Sequence, residues 1–175
     1  MKTERSGLIK FKGNEVVVIG DDLHPGDTAP GFFCHTVDWL LFNGLDDTKG
    51  KVRIIVAVPS LDTEVCDRET RRFNLEATNL DKDIVILVVS MDLPYAQKRW
   101  CGGAGIDRVI TLSDHLTGEF GMKYACLMKD VRVLRRAVFV VNHKNIITYS
   151  AYMPALGDEP DYAGVLEAAK AALIM

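Results

Sequence analysis

Val52-Arg53-Ile54-Ile55-Val56-Ala57-Val58-Pro59-Ser60-Leu61-Asp62-Thr63-Glu64-Val65-Cys66-Asp67 runs from an apolar segment through a proline-marked loop to a cysteine. Val52 to Val58 is nearly continuous in β-branched residues, the composition of a strand buried on both faces in the middle of a sheet. Pro59 has no N–H to give a ladder and ends it. Beyond the loop, Phe73, Ala77 and Leu80 recur at i, i+4 and i+7, one buried face of a helix whose free amides Asp62 or Thr63 can cap. Cys66 therefore falls in the first helical turn. Unpaired N–H groups and the positive end of the helix dipole favour a thiolate there, and the thiolate is the nucleophile. Thr63 can aim its hydroxyl at that sulfur or at a bound oxygen. A single free cysteine is more often a small buried hydrophobe; strand, proline loop and helix start together favour the reactive reading.

Composition limits what surrounds this stretch. With 175 residues, 48% of them hydrophobic, and a net charge of −3, the chain suits one domain over 1–175 with a sizeable core. The charge balance offers no basic field for nucleic acid, and a run such as Asp67-Arg68-Glu69 reads as the wet side of a helix. There is no membrane span, and Met1 to Ser6 lacks the apolar region of a secretory signal, so a cytoplasmic location is expected. The cysteines stand at 34, 66, 101 and 126 with no C-x-x-C, which fits neither a secreted disulfide scaffold nor paired zinc ligands. In a reducing compartment a functional disulfide is transient and catalytic.

Along the chain, Leu8–Lys12 and Glu15–Ile19 read as an N-terminal β-hairpin around Gly13-Asn14. Phe32–Leu41 alternates loosely, and Cys34 beside Phe32 and Phe33 reads as a packed hydrophobe. Strand Ile84–Ser90, a helix from Pro94 to Trp100, strand Val109–Leu112 and a helix-like Leu116–Tyr124 follow the cysteine helix. Ala137–Val141 and Ile146–Ser150 flank His143-Lys144-Asn145 as an antiparallel hairpin, and Tyr162, Val165, Leu166, Ala169 and Leu173 mark a closing amphipathic helix. A βαβ unit followed by a hairpin and a helix is an α/β, thioredoxin-like arrangement: a central mixed sheet flanked by helices. The handedness and edge rules for parallel sheets put the Pro59–Cys66 loop at the exposed end of the central strand. Gly102-Gly103-Ala104-Gly105 reads as a flexible turn, since it follows a helix rather than a strand. A cysteine–histidine hydrolase would need His24, His35, His115 or His143 near Cys66, and the local pattern is no nucleophile elbow.

Pro59, Thr63 and Cys66 form P-x-x-x-T-x-x-C, and VPSLDTEVCDRETRRFN is followed in order by SMDLPYAQKRWCG, RVITLSD, RRAVFVVN and EPDY. Together these resemble the thiol peroxidases, the atypical two-cysteine peroxiredoxins, over nearly the whole chain. The resemblance implies that Arg136 is the arginine that reaches the reactive sulfur, a permanently charged donor able to stabilise thiolate and leaving alkoxide. The plain alternative makes Arg132, Arg135 and Arg136 a solvated basic cluster. The sequence departs from the family pattern at Glu64, at Cys126 and over Tyr152 to Gly157, none of them a proposed site residue.

The resemblance further implies a thiol-dependent peroxidase acting on hydrogen peroxide and alkyl hydroperoxides. Cys66 would become a sulfenic acid, Pro59 would shield the pocket, and Cys101 of the same chain would condense with Cys66. A thioredoxin-like dithiol would restore both thiols. No cofactor, haem, nicotinamide or metal is required, and a homodimer is expected. Joining Cys66 to Cys101 calls for local unwinding, because disulfides need Cα atoms within roughly 7 Å while packed helix axes lie about 8–10 Å apart. A sensor switched by Cys66 oxidation would share these residues, and a holdase would need dedicated apolar surface, for which there is no segment.

Overall fold

The computed structural model describes residues 2–175. In chain order the elements are β1 (Glu4–Arg5), β2 (Lys10–Phe11), β3 (Asn14–Glu15), β4 (Val18–Ile19), β5 (Phe33–Thr36), β6 (Leu41–Asn43), β7 (Val52–Ala57), α1 (Glu64–Ala77), β8 (Ile84–Ser90), α2 (Pro94–Ala104), β9 (Ile110–Ser113), α3 (Glu119–Lys123), β10 (Leu127–Met128), β11 (Val133–Leu134), β12 (Ala137–Val141), β13 (Ile147–Tyr152) and α4 (Tyr162–Ala172).

The main sheet runs β13-β12-β7-β8-β9-β5-β6. β7, β8 and β9 are parallel, joined by α1 and α2, and β12, β13, β5 and β6 add antiparallel partners at either side. This is the mixed sheet expected from the sequence. Its pleat divides two cores. Ile55, Ala57, Leu87, Val89 and Phe139 face a cluster containing Phe32, Phe120 and Tyr124. Ile54, Val56, Ile86, Val88 and Val140 face α1 and α4 through Phe73, Val165 and Ala169, and Cys66 belongs to this second cluster. β7 is buried along its whole length, including Arg53, whose guanidinium donates to Thr48 Oγ1, Leu45 O and Asn142 O and so ties two loops at the sheet's far end.

The structure corrects several local readings. The hairpin turn is Lys12-Gly13, both at positive φ (48° and 83°), rather than Gly13-Asn14; this is the backbone that a two-residue hairpin needs. Val18–Ile19 leaves that hairpin and pairs instead with β1 and β10. Phe32–Leu41 folds over into the β5–β6 hairpin. Gly102 and Gly103 are helical: α2 continues to Ala104 and ends on Gly105 in the left-handed conformation (φ 66°), a glycine cap. What holds α2 in place is buried Gln97, whose amide donates to Ser90 Oγ and Leu112 O at the ends of β8 and β9. Among the described residues no helix is long and apolar enough to cross a membrane.

Candidate active site

The site lies at the C-terminal edge of β7. Val58 N still donates to Val89 O at 3.0 Å, and buried Pro59 then ends the strand. The loop that follows is pinned by Asp92, just past β8. Its carboxylate accepts from Ser60 Oγ (2.7 Å), Leu61 N (2.9 Å) and Ser90 Oγ (2.7 Å). Parallel pairing of β7 with β8 brings this aspartate to the loop, since Ala57 stands opposite Val89.

Thr63 is the helix N-cap by backbone (φ −107°, ψ 147°) but makes no side-chain cap. Its exposed hydroxyl donates to Ser60 O at 2.9 Å, so it braces the loop and does not point at the sulfur. Cys66 sits in the first turn of α1 and is fully buried. Arg136 Nη2 donates to its Sγ at 3.2 Å. Among the described residues no histidine hydrogen-bonds Cys66; His35 and His115 instead cluster with Trp39, ring centres 5.3–5.9 Å apart.

Arg136 is itself buried, and every edge of its guanidinium is used. Nη1 pairs with Glu69 Oε2, and Nε and Nη2 donate to Leu156 O at 3.2 and 2.9 Å. Glu69 is fully buried on the same helix face as Cys66, so the charged run Asp67-Arg68-Glu69 is not wholly a wet face. Burial pushes the Glu69 carboxyl up to about 7 against the pull of Arg136. Arg136 moves above its ordinary range: burial opposes its charge, but Glu69 and the Cys66 sulfur outweigh that. Leu156 lies in the segment where the sequence departs from the thiol peroxidase pattern, and that segment does touch the site, through a carbonyl any residue supplies. Nor are the arginines a solvated cluster. Arg135 is buried too, pairing with Asp22, donating to Ala125 O at 2.7 Å and stacking 4.1 Å from the Tyr152 ring centre; only Arg132 is exposed.

Cys101 is half-buried inside α2, its Sγ 3.3 Å from Thr111 Oγ1 on β9. Burial pushes its thiol up, and its hydrogen-bond partner is a neutral hydroxyl rather than a cation. Cys34 and Cys126 are buried with thiols pushed up by burial, Cys126 to about 12. None of the four cysteines is joined in a disulfide. A cleft of about 480 Å³ opens between the start of α1 and the facing side of α2, walled by Ser60–Glu64, Asp67, Arg71, Asp92, Arg99, Trp100 and Ala104; neither Cys66 nor Cys101 lines it.

Of the residues singled out from sequence, the fold brings Cys66, Arg136, Thr63 and Pro59 to one sheet edge, with Cys101 on the adjoining helix. Glu69 and Asp92 were missed. Asp92 had one available signal: it stands two residues past the run Ile84-Val85-Ile86-Leu87-Val88-Val89-Ser90 that parallels β7, at the edge where sites form.

Sheet, helix start and buried sulfur–guanidinium contact define a thioredoxin-like protein organised around a cysteine–arginine pair. Residues 24–166 match the Redoxin family. The chain is 50% identical to a thiol peroxidase of Halalkalibacterium halodurans over 165 residues, 94% of this chain and 98% of the relative. It is 45% identical to a thiol peroxidase of Bacillus subtilis over 163 residues, 93% of this chain and 96% of the relative. A solved peroxiredoxin-like protein from Aquifex aeolicus matches with TM-score 0.85 and 34% identity, covering 98% of each chain. The chain belongs to the Redoxin family and, within it, to the thiol peroxidases, enzymes of the peroxiredoxin class.

Proposed function

We propose that the chain, as one domain over 1–175, reduces hydrogen peroxide and organic hydroperoxides through Cys66. The observation that carries this reading is the Arg136 Nη2–Cys66 Sγ contact of 3.2 Å at a helix N-terminus. A guanidinium and a helix dipole both stabilise negative charge on the sulfur. The thiolate attacks the terminal oxygen of the hydroperoxide; the O–O bond breaks, a sulfenic acid forms on Cys66, and the alkoxide or hydroxide leaves and takes a proton. On this reading the Arg136 Nη2 donor now on the sulfur passes to that departing oxygen, while Glu69 and Leu156 O hold the guanidinium plane. Pro59 closes the pocket beside the helix start, and Thr63 holds its loop.

Cys101 then condenses with the sulfenic acid. Its raised thiol and lack of a cationic partner suit a residue that waits while Cys66 reacts. A thioredoxin-like dithiol returns both thiols by exchange. The reading places the enzyme in the cytoplasm, where such donors are reduced. It also makes the chain a homodimer, supported by an exposed apolar patch of Trp39, Leu40, Leu41, Leu93, Tyr95 and Leu116 near the Asp92 edge of the site.

The test is NADPH-coupled turnover with thioredoxin and its reductase. Continuous peroxide consumption by the wild type and none by Cys66→Ser is expected. Consumption that stops after one equivalent points to a redox sensor, and equal turnover in the serine variant removes Cys66 from the chemistry.

A further inference from the structure

Asp67 directly follows Cys66, and Trp100 directly precedes Cys101. These two neighbours are bonded to each other: Trp100 Nε1 donates to Asp67 Oδ1 at 3.0 Å. The other oxygen of the same carboxylate accepts from Arg71 Nε at 2.8 Å. Arg71 Nη1 in turn donates to Ala104 O at 3.1 Å, in the last turn of α2, and its guanidinium lies 5.9 Å from the Trp100 ring centre. One carboxylate, one guanidinium and one indole thus tie the first two turns of α1 to the last turn of α2. The sulfurs meanwhile face other partners, Cys66 against Arg136 and Cys101 against Thr111.

We propose that Asp67, Arg71 and Trp100 form a latch between the two cysteine-bearing helix segments, and that its opening sets the rate at which Cys66 sulfenic acid and Cys101 form a disulfide. This rests on the reading of Cys101 as the partner of Cys66. The first turn of α1 has no side-chain cap, so its place is held by tertiary contacts. Besides the exposed Arg68–Glu159 pair and the apolar packing of Cys66, two sets of polar contacts hold it: Arg136 with Cys66 and Glu69, and the Asp67 latch. Oxidation turns the thiolate into a neutral sulfenic acid and weakens the charge-assisted part of the first set. The latch is untouched by oxidation. It therefore decides how long the sulfenic acid persists before Cys101 reaches it. In the closing step the S–S bond forms, the sulfenic oxygen leaves as hydroxide, and the proton released by Cys101 completes a water molecule. A sulfenic acid kept waiting is open to a second peroxide and to sulfinic acid. The latch thus also sets sensitivity to over-oxidation.

Trp100 and Asp67 are positioning residues on this account, and the indole N–H is the group to remove. Trp100→Phe keeps the ring but loses the donor. Asp67→Asn keeps an oxygen for the indole but loses the charge that holds Arg71. Rapid-quench mass spectrometry with one equivalent of hydrogen peroxide follows sulfenate and disulfide separately; a second series with excess peroxide reads sulfinic acid. Trp100→Phe is expected to form the Cys66–Cys101 disulfide about tenfold faster, the effect of losing one hydrogen bond to a charged group. Its sulfenate formation should be unchanged, and less sulfinic acid should accumulate. Asp67→Asn should fall between it and the wild type, and decides the matter alone if Trp100→Phe does not fold. Disulfide formation at the wild-type rate, or slower, in the variants overturns the latch while leaving Cys101 in place. Absence of any Cys66–Cys101 disulfide in the wild type removes Cys101, and the latch with it.

Discussion

Arg136 Nη2 lies 3.2 Å from Cys66 Sγ although seventy residues of chain separate them. Sheet topology makes this contact. β12 runs antiparallel to β7 with Ala137 opposite Ala57, so the residue before β12 starts lies beside the point where β7 ends and its loop leads to Cys66. An antiparallel neighbour entering the sheet where β7 leaves it brings a cation to the helix start.

Arg136→Ala should slow the peroxide step by about 10²–10³, the usual effect of losing one transition-state donor. Arg136→Lys should recover only part of this, because an ammonium cannot span sulfur, Glu69 and Leu156 O with one planar fork. Arg135→Ala should leave the step intact and lower stability by about 2 kcal/mol, since it leaves buried Ala125 O without its donor and Asp22 with Arg5 as its remaining partner. Stopped-flow peroxide kinetics and urea unfolding separate these effects.

Glu69 predicts a pH dependence of stability. Its carboxyl is raised from 4.5 to about 7 by burial. Between those values the folded chain keeps a proton that the unfolded chain releases, so stability falls as pH rises through that window, by on the order of 3 kcal/mol. Asp114, raised by burial to about 6, acts in the same direction. Glu69→Gln should flatten the slope between pH 4.5 and 7 in urea unfolding and slow the peroxide step by loosening Arg136. An unchanged slope would show that Glu69 stays ionised throughout.

Thr63→Val should slow the peroxide step about tenfold by removing the shorter of the two bonds to Ser60 O and leaving only that from Thr63 N, and Thr63→Ser should restore it. Because the hydroxyl braces the loop, the loss should accompany greater proteolytic sensitivity around Ser60–Glu64. A rate loss with an unaltered loop would return Thr63 to direct contact with the reacting oxygens.

The parallel centre of the fold was legible because β7 and β8 are buried on both faces and appear as unbroken apolar runs. Arg53 is the one interruption, compensated by loop carbonyls no local pattern announces. The two-residue strands β10 and β11 carry no period to read. Gly102 and Gly103 suggested a turn because glycine costs about 1 kcal/mol in a helix interior; Gln97 and the Gly105 cap hold α2 helical through them. The helix-start position of Cys66 could be read from proline, cap residue and periodicity. Glu69 could not: its burial depends on a partner sixty-seven residues away. The side chain of Thr63 was also illegible, since its acceptor is a loop carbonyl set by the Asp92 anchor.

The most direct test of the account is peptide mapping of the whole protein after one equivalent of peroxide and immediate thiol blocking. The account requires a Cys66–Cys101 disulfide peptide, with Cys34 and Cys126 recovered as thiols that alkylate only after denaturation. A Cys66 link to Cys34, to Cys126 or to a second chain would contradict it.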